Sequence, residues 1–228
     1  MRRFGQTFFA LCFALTVGHA QAGALDAISS GDATAGVKAA LSKGADYAVS
    51  SLGASNGFLG NEKVRIPLPG YLEQGQKALR MLGMGKQADQ LVETMNHAAE
   101  NAVAEAKPIL VDSIKKMGVK DAKAILTGGD DSVTQYFRSS SSEQLIAKFM
   151  PIVKASTKKL QLAEQYNQIA GKAATMGLVD KNNADIDSYV THKAMDGLFL
   201  MIAEEEKKLR SNPVAAGSAI LSKVFGAL

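Results

Sequence analysis

Glu93, His97 and Glu100 stand four and three residues apart, so a helix would carry one imidazole and two carboxylates on a single face. Asp185, His192 and Asp196, spaced seven and four, repeat that arrangement farther along the chain. Two such helices side by side would offer a divalent metal the nitrogen and oxygen donors it takes. His97 and His192 are thus the candidate metal ligands. A metal-dependent enzyme using them with the nearby carboxylates is the alternative functional reading. The same spacings describe ordinary solvated helix faces, and their order differs from the Glu-x-x-His of ferritin-like sites.

Other chemistries fail on context. Asp180 to Asp185 lacks a glycine at the sixth position of a calcium loop, and Thr191 stands where the closing glutamate belongs. Gly83-Met84-Gly85-Lys86 follows a helix pattern rather than a strand, so it reads as a helix stop and not a phosphate loop. Ser139 to Ser142 has no Gly-x-Ser-x-Gly setting. Lys115, Lys116, Lys120 and Lys123 form a small basic cluster, which reads as a solvated face ahead of a patch for anionic lipid or nucleic acid.

Polar residues inside apolar helices are more informative. Asn96 and Glu100 lie in the Ala-rich run Met95-Asn96-His97-Ala98-Ala99-Glu100. Thr191 and Lys193 precede Gly197-Leu198-Phe199, and Glu206 with Arg210 forms an i,i+4 pair. Should such groups meet inside a bundle they must be paired, because an unpaired buried charge is very costly. They are then either a structural network or the floor of a cleft. The binding version lines an interhelical cleft with Asn96, Glu100, Lys193 and Arg210. It lets an arm from Val64 to Pro69 dock over the bundle or onto another chain.

The elements that would position these residues follow a period of 3.6 almost throughout. Val37, Leu41, Ala45, Ala48 and Leu52 make one stripe, with Asp32 as cap and Gly53 as stop. Val64 to Pro69 alternates faces, and its prolines forbid a helix. A short helix from Tyr71 to Leu82 and a long one bearing Leu91 to Ile109 follow, the latter bent or broken at Pro108. Asp121 to Leu126 and Ser132 to Phe137 are two short helices. Ser140-Ser-Ser-Glu143 reads as a capping box opening a second long helix through Leu145 to Ile169, bent at Pro151. Asp185 or Asp187 caps the next helix, Asn212-Pro213 stops it, and a last helix carries Ile220 to Phe225. The expected fold is all-α. It is a single multi-helix bundle of about eight helices, two long and Pro-bent, with one short extended arm or hairpin near 62–69.

The chain of 228 residues begins Met1-Arg2-Arg3, then an apolar stretch from Phe8 to Val17, then Ala20-Gln21-Ala22. That order is expected to be a cleavable signal peptide over 1–22, leaving 23–228 as one helical domain in the periplasm. Cleavage would remove Arg2, Arg3 and Cys12, lowering the net charge from +4 to +2 and leaving no thiol. Packing alone must then hold the fold. So small a charge argues against nucleic acid as a partner. The longest later apolar run, Leu198 to Ala203, is too short to span a membrane.

Several stretches together resemble a known family, the exported bacterial proteins catalogued as domain of unknown function 4197. They are Arg65-Ile66-Pro67-Leu68-Pro69, Met95 to Glu100, Asp121 to Gly128, Gln135-Tyr136-Phe137, Tyr189 to Ala194, Gly197-Leu198-Phe199, and Ile202 to Arg210 with Pro213. The resemblance implies an exported, mostly helical protein and no established activity. The motif positions it carries over are Asn96, Glu100, Thr191, Lys193, Glu205, Glu206 and Arg210, the candidate ligand-binding residues. His97 and His192 lie outside those positions. The expected function is non-enzymatic binding of a small ligand or envelope protein, with no cofactor.

Overall fold

Ser29 opens the first helix. Its Oγ accepts the backbone N–H of Asp32 at 3.0 Å, and α1 runs Ser30–Leu52. Asp32, expected as the cap, lies in the first turn instead, where its carboxylate meets Lys223 at 2.7 Å. The computed structural model describes residues 28–74, 76–178 and 180–226, so the expected signal segment lies outside the described residues.

The chain then leaves helical geometry from Gly53 to Pro69, first as turns and then as an extended arm over 65–69. Two short helices follow, α2 (Gly70–Gln74) and α3 (Gln76–Met81). α4 (Gly85–Ala104) does not continue through Pro108. The chain breaks at Glu105-Ala106 and restarts as α5 (Lys107–Lys116), with the proline in its first turn. There its missing N–H would have had no helical partner anyway. α6 (Val119–Thr127) is followed by α7 (Ser132–Thr157), α8 (Gln161–Thr175), α9 (Ile186–Ser211) and α10 (Ala219–Phe225).

Two boundaries depart from expectation. The serine run does not open a helix. It lies inside α7, where Ser139, Ser140 and Ser141 donate back to the carbonyls of Tyr136, Tyr136 and Phe137. The buried stripe Phe137, Ser141, Leu145, Phe149, Val153 runs unbroken through the run, so packing overrides the capping signal. The helix also continues through Pro151. It stops at Lys158 without glycine or proline, making α7 and α8 separate. A Thr157–Asp187 hydrogen bond holds this corner, and Leu162, Ala163 and Tyr166 turn α8 onto its neighbours.

Eight of the helices have seven residues or more, and among the described residues no strand forms. α7 packs against α4 and α9, and α1 packs against α9, α6 and α10. One apolar core joins them, with Phe58, Phe137, Phe149 and Phe199 fully buried. Alanine and glycine faces bring helices close. A Cβ on Gly36 of α1 would fall 2.5 Å from Cγ2 of Val224 in α10.

Candidate functional site

Asn96 and Glu100 lie one turn apart on the buried face of α4, and both engage the segment 53–69 rather than an open cleft. The Asn96 Oδ1 accepts the Ile66 N–H at 2.8 Å, and its Nδ2 donates to the Ile66 carbonyl at 2.9 Å and to Val92 O at 2.7 Å. A side-chain amide thus occupies the place of a neighbouring strand. The extended arm needs no sheet partner, and no hairpin forms at 62–69. With Val64, Ile66 and Leu68 buried and Arg65 and Pro67 exposed, the arm alternates as the sequence indicates.

The Glu100 carboxylate gathers the preceding turns. Its Oε1 accepts the N–H groups of Phe58 at 3.0 Å and Leu59 at 3.1 Å, and its Oε2 accepts that of Asn56 at 3.2 Å. His97 Nδ1 meets Oε2 at 2.7 Å. Convergent backbone N–H groups form a concavity for an anion, here filled by a side chain of the same protein. Asn56 sits at φ 61°, a conformation asparagine tolerates better than most residues. Phe58 is thereby driven onto α9, where a Cβ on Gly197 would lie 2.6 Å from its ring. Tyr189 of α9 donates its hydroxyl to Pro67 O at 3.2 Å. Burial, then the nearby Glu73 and Tyr166, push the Tyr189 phenol up to about 12.

Glu206 and Arg210 form a second, separate network at the other end of α9. Glu206 accepts the N–H groups of Val133 at 2.9 Å and Thr134 at 3.1 Å, and the Thr134 hydroxyl at 3.1 Å. These are orphan donors in the first turn of α7, whose own preceding residue Asp131 makes no side-chain cap. A carboxylate there also matches the positive end of the helix. Arg210 pairs with Glu206 through Nε at 3.1 Å and Nη2 at 3.0 Å. The same Nη2 donates to Ile125 O at 3.0 Å and Ser132 Oγ at 2.6 Å. The pair ties the end of α6 to the start of α7.

The other candidates are placed less centrally. Thr191 is fully buried, with its hydroxyl 3.8 Å from the Met150 sulfur. Glu205 meets Lys208 at 3.5 Å. Lys193 is exposed, its ammonium 5.9 Å above the Tyr189 ring. Lys193 and Arg210 are 17 residues apart on one helix, hence about 25 Å along its axis. The four residues expected to line one cleft therefore do not share one. A crevice lined by Gly44, Ile202, Glu206 and Phe225 is too tight to hold a water molecule.

Among the described residues, no three His, Cys, Asp or Glu side chains gather as ligands would. Glu100 is committed to backbone donors, and Asp185 caps α9 by accepting the Ser188 N–H at 2.7 Å. What sequence reasoning missed was the arm as the target of Asn96 and Glu100, since nothing in a helix stripe names the distant loop its polar residue will bind.

A family model described as protein of unknown function (DUF4197) matches residues 27–226. No curated protein and no solved structure matches the chain.

Proposed function

The chain belongs to the family described as protein of unknown function (DUF4197), and from that premise we propose a non-enzymatic binding protein of the cell envelope. It is exported by residues 1–22, and its outer surface meets an envelope partner. One observation carries this reading. Among the described residues, no buried side-chain nitrogen or oxygen lacks a hydrogen-bond partner. Ligand sites are concave and hold a few convergent polar groups free to receive a ligand. Here Asn96, Glu100, Glu206 and Arg210 are all engaged by the fold, so recognition falls to the exterior.

Native mass spectrometry of the protein from its own envelope fraction tests this. The expected species begins at Gly23 and carries a macromolecule or lipid. A stoichiometric metal or small polar metabolite retained by the purified protein would overturn the surface reading. An intact residue 1–22 segment would overturn export by cleavage.

A further inference from the structure

Thr191 is a buried motif position that the two glutamate networks leave aside. Its side chain is fully buried on α9, and its hydroxyl donates to the Met150 sulfur of α7 at 3.8 Å. Among the described residues it makes no other hydrogen bond. The buried hydroxyls of Ser141 and Thr157 on α7 instead donate back along their own helix, to Phe137 O at 2.5 Å and Val153 O at 3.2 Å. Thr191 reaches across to a neighbouring helix, and the thioether it meets is a weak acceptor. A buried hydroxyl so poorly matched is ready to gain from a better acceptor at the same place.

The methionines differ in access. Met81 and Met176 are 88% and 71% exposed, whereas Met95, Met117, Met195 and Met201 are buried. Met84 and Met150 stand between, half-buried. Of these two, Met150 has a buried hydroxyl against its sulfur, at the junction of the closely packed helices α7 and α9. A half-buried thioether is within reach of an oxidant little larger than water, and access governs which methionines are oxidised.

We propose that Met150 is a site of oxidation by a peroxide, and that its sulfoxide oxygen takes the Thr191 hydroxyl as donor. A sulfur lone pair attacks one oxygen of hydrogen peroxide. The S–O bond forms, the O–O bond breaks, and the departing oxygen takes the proton of the transferred one and leaves as water. Sulfur gives up two electrons and the peroxide accepts them. An oxygen on this sulfur, canted off the line to Thr191 Oγ1, comes within the 2.5–3.0 Å of an O–H···O bond without a shift of either helix. A sulfoxide ordinarily puts a polar atom among apolar neighbours and loosens a core. Here the donor is already in place, so oxidation exchanges a weak contact between α7 and α9 for an ordinary hydrogen bond. The site is independent of what the exterior binds.

The purified full chain is treated with hydrogen peroxide. Peptide mass spectrometry reads oxygen addition at each methionine, and thermal unfolding reads stability. Met81 and Met176 oxidise first, Met150 follows, and Met95 and Met195 are spared while the fold holds. Met150→Leu, treated alike, gives the shift caused by the other methionines. Wild type oxidised at Met150 stays within about 2 °C of that reference shift. Thr191→Val keeps the shape and loses the donor. Untreated it unfolds near the wild-type temperature, and once oxidised at Met150 it falls by about 4 °C or more. Thr191→Ser keeps a hydroxyl and behaves as wild type. Met150 untouched while Met81 and Met176 are fully oxidised would overturn the proposal, as would oxidised wild type falling as far as oxidised Thr191→Val. Should Thr191→Val fail to fold, the comparison with Met150→Leu decides: a treated wild type that loses more than about 2 °C beyond it sinks the proposal.

Discussion

Replacing Glu100 by glutamine tests whether this carboxylate organises the arm. The side chain keeps its shape and loses one acceptor and the charge. With the remaining carbonyl at the Oε1 position, Phe58 and Leu59 keep their bonds, and the new NH2 faces the Asn56 N–H. His97 can accept from that NH2 by moving its own proton, but Asn56 cannot. Two bonds drop from charge-assisted to neutral strength at about 1 kcal/mol each, and one donor loses its acceptor at about 1 kcal/mol more. The total of about 3 kcal/mol is a large share of the 5–15 kcal/mol stability typical of a domain. Urea unfolding followed by circular dichroism reads the loss, and hydrogen exchange reads its place. The amides of Asn56, Phe58 and Leu59 lose protection before the core of α7 does. Glu93→Gln is the control, since Glu93 is exposed and its carboxylate lies 3.9 Å from His97, and it changes stability by no more than about 0.5 kcal/mol. A Glu100→Gln protein within that same margin, with amide protection intact, would refute the anchoring argument.

Three further outcomes follow from the geometry. Glu206→Ala leaves the partly buried Arg210 without its carboxylate and uncaps α7, so it costs about 3 kcal/mol, whereas Arg210→Ala leaves Glu206 with its three α7 donors and costs less. Denaturation showing the two equal would contradict this. Gly197→Ala forces the Phe58 ring aside and costs about 1–3 kcal/mol, while Gly44→Ala in α1 meets only Ile202 Cγ2 at 3.8 Å and is neutral or stabilising by up to about 1 kcal/mol, both read from thermal midpoints. Tyr189 favours its neutral form in the folded state, so its share of stability is complete below pH 10 and is lost as pH rises from 10 towards about 12. Tyr189→Phe removes that share of the alkaline decline and takes one late-ionising tyrosine out of the absorbance titration, in which burial also holds Tyr136 above the usual phenol range.

The helices were legible wherever one apolar stripe met one capping signal. Asp185 caps α9 as its residue type indicates, and α1 ends at Gly53 as expected, although this glycine is right-handed there. Local signals misled where tertiary packing competed with them. Ser140 and Glu143 have the spacing of a capping box, yet Phe137 and Leu145 continue one buried face across them, and the hydroxyls bond back along the helix. Conversely, α7 ends with no breaker residue, because the Thr157–Asp187 bond joins groups 30 residues apart. The polar candidates showed the same division. That Asn96, Glu100, Glu206 and Arg210 need partners follows from their positions on apolar faces. Which partners they take depends on loop and helix-start N–H groups, which carry no side-chain identity for a sequence to display.

Glu100 and Glu206 solve one problem in two places. A bundle of short helices exposes many orphan N–H groups at turns and helix starts, and burying them unpaired costs about 1–3 kcal/mol each. Local Ser or Asp caps serve α1 and α9, where the preceding residue is free to fold back. The 56–59 turns and the start of α7 have no such local acceptor, and a carboxylate arrives instead from a helix 41–44 or 72–73 residues away in sequence. An acceptor supplied at that distance fixes tertiary position as well as hydrogen bonding. Each glutamate locks a segment to a helix and thereby sets the path of the chain. The seven motif positions thus fall mainly on the framework.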